Sequence, residues 1–407
     1  MIEQKRAIEA LRSGVPNRDA VNSLGTSQDA IVEHFETNLE RLSRNERPGG
    51  FMFKGEFGSG KSHLLEYLQH IAERQNFVTS KIVISKETPL HDAGKVFRSA
   101  IENARVPGKV GSALTAITES LRYDSRQYAD FYRWVNDHRT GLNERFHAAL
   151  YLFENLKDLE FSDRILRFWS GDTIAVGDLK RKLKECGETS TYSFSKALSR
   201  DLAVQRFRFL ARLITAAGYR GLILLFDEVE LIGRYSLLQR GRSYAEIARW
   251  IRGLGGPPIE GVTTVMATTG DLVEIVFNQR HDFDDVPNKF QERGDPGTAE
   301  LAELGMRTLR DDAKPLEDQT EEAIERAYQK LKQIHGAAYG WSPPEVRSLS
   351  YQATRQMREY VRSWIYAWDL IRLDPTYTPQ IEADKVELPY TEDGDLGGDD
   401  QPLWEEP

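Results

Sequence analysis

One cysteine, Cys186, occurs among 407 residues. A single thiol excludes a disulfide framework, and without Cys/His pairs at ligand spacing a structural zinc site is excluded too. No apolar run is long enough to be predicted as a membrane span, and the first residues lack the apolar stretch of a secretory signal. A soluble cytoplasmic protein with no membrane partner is the expectation. Positive charge is not in excess: 54 Lys and Arg stand against 63 Asp and Glu, for a net charge of −9. The chain as a whole therefore carries no nucleic-acid signature, although local basic patches stay open. Internal repeats are absent. The hydrophobic content of 40% supports a sizeable core, and the length suits two or three domains.

The strongest pattern is Gly55-Glu56-Phe57-Gly58-Ser59-Gly60-Lys61-Ser62. It fits G-x-x-x-x-G-K-[ST], the phosphate-binding loop of nucleotide-hydrolysing proteins. Phe51-Met52-Phe53 before it reads as a short buried strand. After it, Leu64, Leu65, Leu68, Ile71 and Ala72 recur at helical spacing. Glycines let backbone N–H groups wrap a phosphate where a Cβ would interfere, and the following helix N-terminus adds positive potential. In such a loop Lys61 reaches the β- and γ-phosphates and the Ser62 hydroxyl coordinates Mg²⁺; His63 follows directly.

A second signal is Gly221-Leu222-Ile223-Leu224-Leu225-Phe226-Asp227-Glu228. An unbroken apolar run ending in two carboxylates reads as a buried parallel strand with a functional C-terminal end. In that role Asp227 holds Mg²⁺, through water or directly, and Glu228 polarises the attacking water; the plain alternative is a solvated acidic turn. Val262 to Ala267 is a further strand, followed by Thr268-Thr269-Gly270-Asp271. Thr268 or Thr269 is the candidate to sit beside the γ-phosphate and orient water.

Around these motifs the pattern is mostly helical. Ile8, Leu11 and Val15 precede Pro16, and a second helix is predicted from about Thr26–Ser27, with Ile31, Val32, Phe35, Leu39 and Leu42 as its apolar stripe. Gly14-Val15-Pro16-Asn17 is either an adenine contact, with Pro16 in the cofactor-binding set, or an ordinary helix-ending turn. Phe77 to Ser85 reads as a second core strand. From Asp92 to about Gly218 the pattern is helical, its aromatics reading as packing residues, with a polar connection over 176–200. Met306 to Arg310 is expected to be the last core strand. Thr320–Ile334 and Arg355–Leu370 are predicted amphipathic helices, and the acidic, lysine- and arginine-free stretch after Lys385 reads as a disordered tail.

Arg234 to Arg252 holds five arginines against one acid, Glu246, with Tyr235, Tyr244 and Trp250 interleaved. Such a patch could contact DNA phosphates and stack bases. The alternative is a helix whose apolar face packs while its arginines face water or a neighbouring subunit.

Taken together, the loop, the Asp227-Glu228 pair and the threonines after the fourth strand resemble an additional-strand P-loop ATPase of the AAA+ class, near its origin-recognition-like branch. More narrowly, the chain is similar to the ATP-binding proteins of BREX bacteriophage-exclusion systems, the BrxD-like kind. That likeness rests on Ala7 to Asn17, Gly55 to His63 and Leu225-Phe226-Asp227-Glu228-Val229-Glu230. It implies a parallel α/β sheet with a helical insertion over about 90–218 and a C-terminal helical lid, in an ATPase that binds ATP with Mg²⁺. The implied domains are an N-terminal helical segment 1–50, an ATPase core 51–312, a lid 313–380 and an acidic tail 381–407. The resemblance also implies a lid arginine on the γ-phosphate, which Arg355 matches; Thr354 stands where proline is common, which leaves Arg358 as the other candidate. It implies further a homo-oligomer with Arg293 or Arg280 as candidate trans-acting fingers, and partners such as DNA or a defence-system helicase. A slow switch or loader for a helicase, replication or transposition complex is the other reading.

Overall fold

The protein is described here from a computed structural model, over residues 2–14, 17–188, 192–197, 199–257, 259–317, 320–346 and 357–378. Pro16, Arg355 and the acidic stretch after Lys385 lie outside the described residues.

Six strands form one sheet among the described residues: β1 (Phe51–Lys54), β2 (Val78–Val83), β3 (Ala104–Arg105), β4 (Leu222–Asp227), β5 (Val262–Thr268) and β6 (Lys314–Pro315). Their order is β3-β2-β4-β5-β1-β6, with every neighbouring pair parallel except β2 and β3. Parallel strands need crossover connections, and here helices supply them. Before β1 come α1 (Ile2–Ser13), α2 (Arg18–Leu24) and α3 (Asp29–Ser43), and α4 (Lys61–Arg74) follows β1. Between β2 and β4 run α5 (Ala93–Glu102), α6 (Ala113–Glu119), α7 (Arg126–Val135), α8 (Glu144–Asn155), α9 (Leu159–Trp169), α10 (Val176–Glu185) and α11 (Ser199–Ala216). The remainder is α12 (Leu237–Arg252), α13 (Asp282–Glu292), α14 (Pro296–Arg307), α15 (Glu321–Tyr339) and α16 (Met357–Leu373).

All six residues of β4 are buried, as expected of a strand covered on both faces. Alternate side chains divide between two cores. Ile223 and Leu225 pack with Phe35 and Leu39 of α3 and Leu65 and Leu68 of α4. Leu222, Leu224 and Phe226 join the larger core on the opposite face, where Trp250 lies against Phe207 and Phe226. The aromatics between β2 and β4 do pack: Phe131, Phe146 and Trp169 all cluster on Phe209.

A third core brings the two ends of the chain together. Ala7, Ile8 and Leu11 of α1 share it with Tyr328 and Leu331 of α15 and Trp364 and Trp368 of α16. Arg12 adds an ion pair to Asp369 at 2.7 Å. Gln28 and Glu317 complete the link with reciprocal bonds: the Gln28 amide donates to the Glu317 carbonyl at 3.1 Å and accepts from the Glu317 N–H at 2.9 Å.

Two expectations are corrected. Met306–Arg310 is not a strand. Asp295 caps α14, accepting from Thr298 N–H at 3.1 Å, and the helix runs through Arg307 into a π turn over Thr308–Asp312. Met306 and Leu309 are both fully buried at helical spacing, so the apolar pair serves a helix face. The last strand is instead Lys314–Pro315, beside β1. The second helix also does not begin at Thr26–Ser27. Asn17 caps an intervening helix, α2, through Ala20 N–H at 2.9 Å, and α3 starts at Asp29.

Candidate nucleotide-binding site

The glycine loop leaves the C-terminal end of β1 and enters α4 at Lys61. Gly58 and Gly60 have φ of 80° and 103°, the left-handed region that favours glycine. Gly55 is needed for a different reason: a Cβ there would lie 2.6 Å from Ser59 Oγ and 2.8 Å from Leu316 Cδ1. Lys61 folds back over its own loop, donating to the carbonyls of Gly55 and Glu56 at 3.2 Å each. It is buried, and its ammonium lies 3.8 Å from a Glu230 carboxylate oxygen, beyond hydrogen-bonding reach.

The acid pair ends β4. Asp227 is buried; one carboxylate oxygen accepts the Glu228 N–H at 3.1 Å and the other lies 3.0 Å from the Lys81 ammonium on β2. Glu228 has φ 58° and ψ 33°, a left-handed conformation costly for a residue with a side chain and concentrated at functional sites. Burial, then Asp227, pushes its carboxyl up, with Lys61, Arg358 and Lys81 opposing. That direction makes Glu228 a better proton acceptor than a free carboxylate. Glu230 is 1% exposed and its oxygens have no hydrogen-bond partner; burial pushes it up to about 7.

The end of β5 completes the group. Lys54 on β1 pairs in register with Thr268, whose carbonyl accepts the Gly55 N–H at 3.2 Å. The Thr268 hydroxyl is wholly buried and has no hydrogen-bond partner, whereas Thr269 is buried just beyond it. An orphaned buried hydroxyl costs about 1–3 kcal/mol.

The loop opens into a cleft between α1, α2 and the last two helices. Leu11, Leu316, Ala327, Met357 and Val361 give it an apolar wall, and Arg326, Lys330 and Arg358 line it with cations. Gly14 lines it too. His63 turns away to hydrogen-bond the Gly25 carbonyl at 2.7 Å, and burial pushes its imidazole down towards the neutral form. Arg358, at the start of α16, reaches the loop: its guanidinium lies 5.0 Å from the Phe57 ring centroid and its backbone N–H donates to the Gly58 carbonyl at 3.4 Å.

The Arg234–Arg252 stretch does not form an exposed basic face. Arg240 is buried in a two-bond pair with Asp282, both bonds 2.7 Å, and Tyr244 donates to the same carboxylate. Arg249 bonds Glu246 and Arg252 bonds Thr308 and Asp312. Tyr235, Tyr244 and Trp250 are all buried. Of the finger candidates, Arg293 is exposed and Arg280 donates to the Gly233 carbonyl at 2.8 Å.

Ser62 and Asp227 offer a hard cation one hydroxyl and one carboxylate. Among the described residues no group of three or more His, Cys, Asp and Glu side chains is arranged to hold a metal. A hydroxyl and a carboxylate are hard oxygen donors of the kind that suit Mg²⁺, an ion usually held by one or two carboxylates together with substrate phosphates. Sequence reasoning missed two participants, Lys81 and Glu230. The signal for Lys81 was a lone charge inside the apolar run of β2; for Glu230 it was a third acid after the pair.

Loop, acid pair and buried threonine at neighbouring parallel strand ends define a mixed α/β P-loop nucleotide-binding protein. The comparison with known families agrees. The family model described as BREX system ATP-binding protein BrxC/D matches residues 2–170 and 190–365, and the chain belongs to that family. No curated protein matches the chain in sequence. Among the described residues no helix is long and apolar enough to cross a membrane.

Proposed function

We propose that the protein is an ATPase of a bacterial antiphage defence system, binding ATP with Mg²⁺ and hydrolysing it. The observation that carries this reading is the convergence of three strand ends: the β1 loop with Lys61, the β4 pair Asp227-Glu228 and the β5 hydroxyl of Thr268. Lys61 leaves its own carbonyls for the β- and γ-phosphates. Ser62 and Asp227 would hold Mg²⁺, which would supply charge neutralisation at the phosphates. Glu228 takes the proton of a water in line with the γ-phosphorus, and Thr268 orients that water. The water oxygen bonds to the γ-phosphorus as the bond from that phosphorus to the bridging oxygen breaks, and ADP leaves with the electron pair. The adenine lies against the apolar wall of the cleft, near Gly14.

The helices after residue 313 act as a lid, with Arg358 or Arg355 on the γ-phosphate, and the helices over about 90–218 are an insertion in a core of 51–312. Arg293, exposed after β5, is the better candidate for a finger acting in trans in a cytoplasmic homo-oligomer. One observation favours the second reading, a nucleotide-dependent switch or loader with slow turnover. The lid touches the loop directly, through Arg358 on Phe57 and Gly58, so phosphate occupancy and lid position are mechanically linked. DNA or a defence-system helicase is the partner of that motion, and any DNA contact uses a surface other than Tyr235, Arg240, Tyr244 and Trp250.

Two variants test the proposal. Lys61→Ala abolishes nucleotide binding measured by calorimetry or fluorescent-analogue titration. Glu228→Gln keeps binding and loses turnover. Full turnover by Glu228→Gln would overturn the catalytic assignment.

A further inference from the structure

The Asp227 carboxylate already has a cation. Lys81 sits in the middle of β2, paired in register with Leu225 on β4, two residues before Asp227. Its neighbours Ser80 and Ile82 are buried, and its own side chain is 21% exposed, against 4% for that of Asp227. The two groups meet at 3.0 Å across adjacent strands. Nothing about strand packing calls for a lysine there: an apolar residue would suit a buried parallel strand better. A lysine placed so that its flexible stem carries the ammonium to this one carboxylate has an electrostatic task.

We propose that Lys81 is a tethered counter-ion that holds Asp227 in the nucleotide-free protein and competes with Mg²⁺ for it. The inference rests on the reading of Asp227 as the metal carboxylate. Lys61 is held in a parallel way, folded onto its own loop near Glu230, so each lysine of the site rests on acceptors of the chain itself. Without metal, Lys81 shields arriving phosphates from Asp227. With metal, the ammonium is displaced along the exposed side of β2. Lys81 therefore lowers the gain in nucleotide affinity that Mg²⁺ confers.

The measurement is the ratio of dissociation constants for a non-hydrolysable ATP analogue in EDTA and in saturating Mg²⁺. Lys81→Gln raises that ratio on the order of five-fold, the scale of a partly exposed ion pair. It does so from both sides, with weaker metal-free and tighter metal-bound affinity. Lys81→Arg, which keeps the cation, holds the ratio near that of the unsubstituted protein. A purely structural lysine would weaken both affinities together and leave the ratio unchanged, which overturns the proposal. Asp227→Asn separates the two claims. A ratio collapsing towards one, with no effect of Lys81→Gln, refutes the Lys81 proposal alone; an unchanged ratio in Asp227→Asn refutes the metal assignment and the proposal with it. Should Lys81→Gln fail to fold, acylation of Lys81 in the unsubstituted protein decides: with the analogue bound, added Mg²⁺ speeds its modification, and an unaltered rate overturns the proposal.

Discussion

Glu230 offers the sharpest stability test, because its environment predicts both a sign and a pH window. The carboxyl is almost wholly buried, has no hydrogen-bond partner, and sees Lys61 only at 3.8 Å. Burial pushes it from 4.5 up to about 7 in the folded protein. The folded chain therefore holds a proton between those values that the unfolded chain has released. Stability attributable to this group is fully present below 4.5, falls as pH rises, and is gone above about 7. At about 1.36 kcal/mol per pH unit, that interval corresponds to about 3 kcal/mol at pH 8. Glu230→Gln keeps the shape and removes the charge. Thermal unfolding without nucleotide should show the variant and the parent close together at about pH 4, with the variant increasingly the more stable from about pH 5 to 7 and the difference level above that. The variant should also bind nucleotide more tightly at pH 8, where the parent's carboxylate retains Lys61. A difference in melting temperature that does not change with pH, or a variant less stable at pH 8, refutes the reasoning.

Two further outcomes follow from buried groups. Thr268→Val removes the orphaned hydroxyl while keeping its volume; it leaves stability level or slightly raised, and lowers turnover with little change in nucleotide affinity, read by melting, steady-state rate and titration together. Arg240→Ala leaves Asp282 charged and unpaired in the core, which costs about 3–5 kcal/mol; denaturant unfolding reads that loss, and an unchanged midpoint would contradict the buried pair.

The glycine loop and the acid pair were legible because their chemistry needs fixed residue types at fixed spacing, and their strands were apolar enough to mark the sheet. Position across the sheet was not legible. Lys81 is distant from Asp227 in sequence and meets it only because β2 and β4 are neighbours in register. The partner of Arg240 was hidden for the same reason: Arg240 reads as a surface charge until Asp282, at the start of α13, is brought against it. Met306 and Leu309 fit either a short strand or a helix face, and short apolar runs do not separate the two. What decides is Asp295, whose cap starts the helix upstream. The joining of α1 to α15 and α16 depends on contacts more than 300 residues apart, such as Arg12 with Asp369, and no local pattern announces them.

The central claim is that this site hydrolyses ATP through Glu228. Its most direct test is the fate of ATP bound to the purified protein in Mg²⁺, followed by quench and chromatography over a single turnover. The account predicts that the unsubstituted protein converts bound ATP to ADP and phosphate, while Glu228→Gln holds intact ATP at the same stoichiometry. ADP formation at equal rates in both proteins would contradict it.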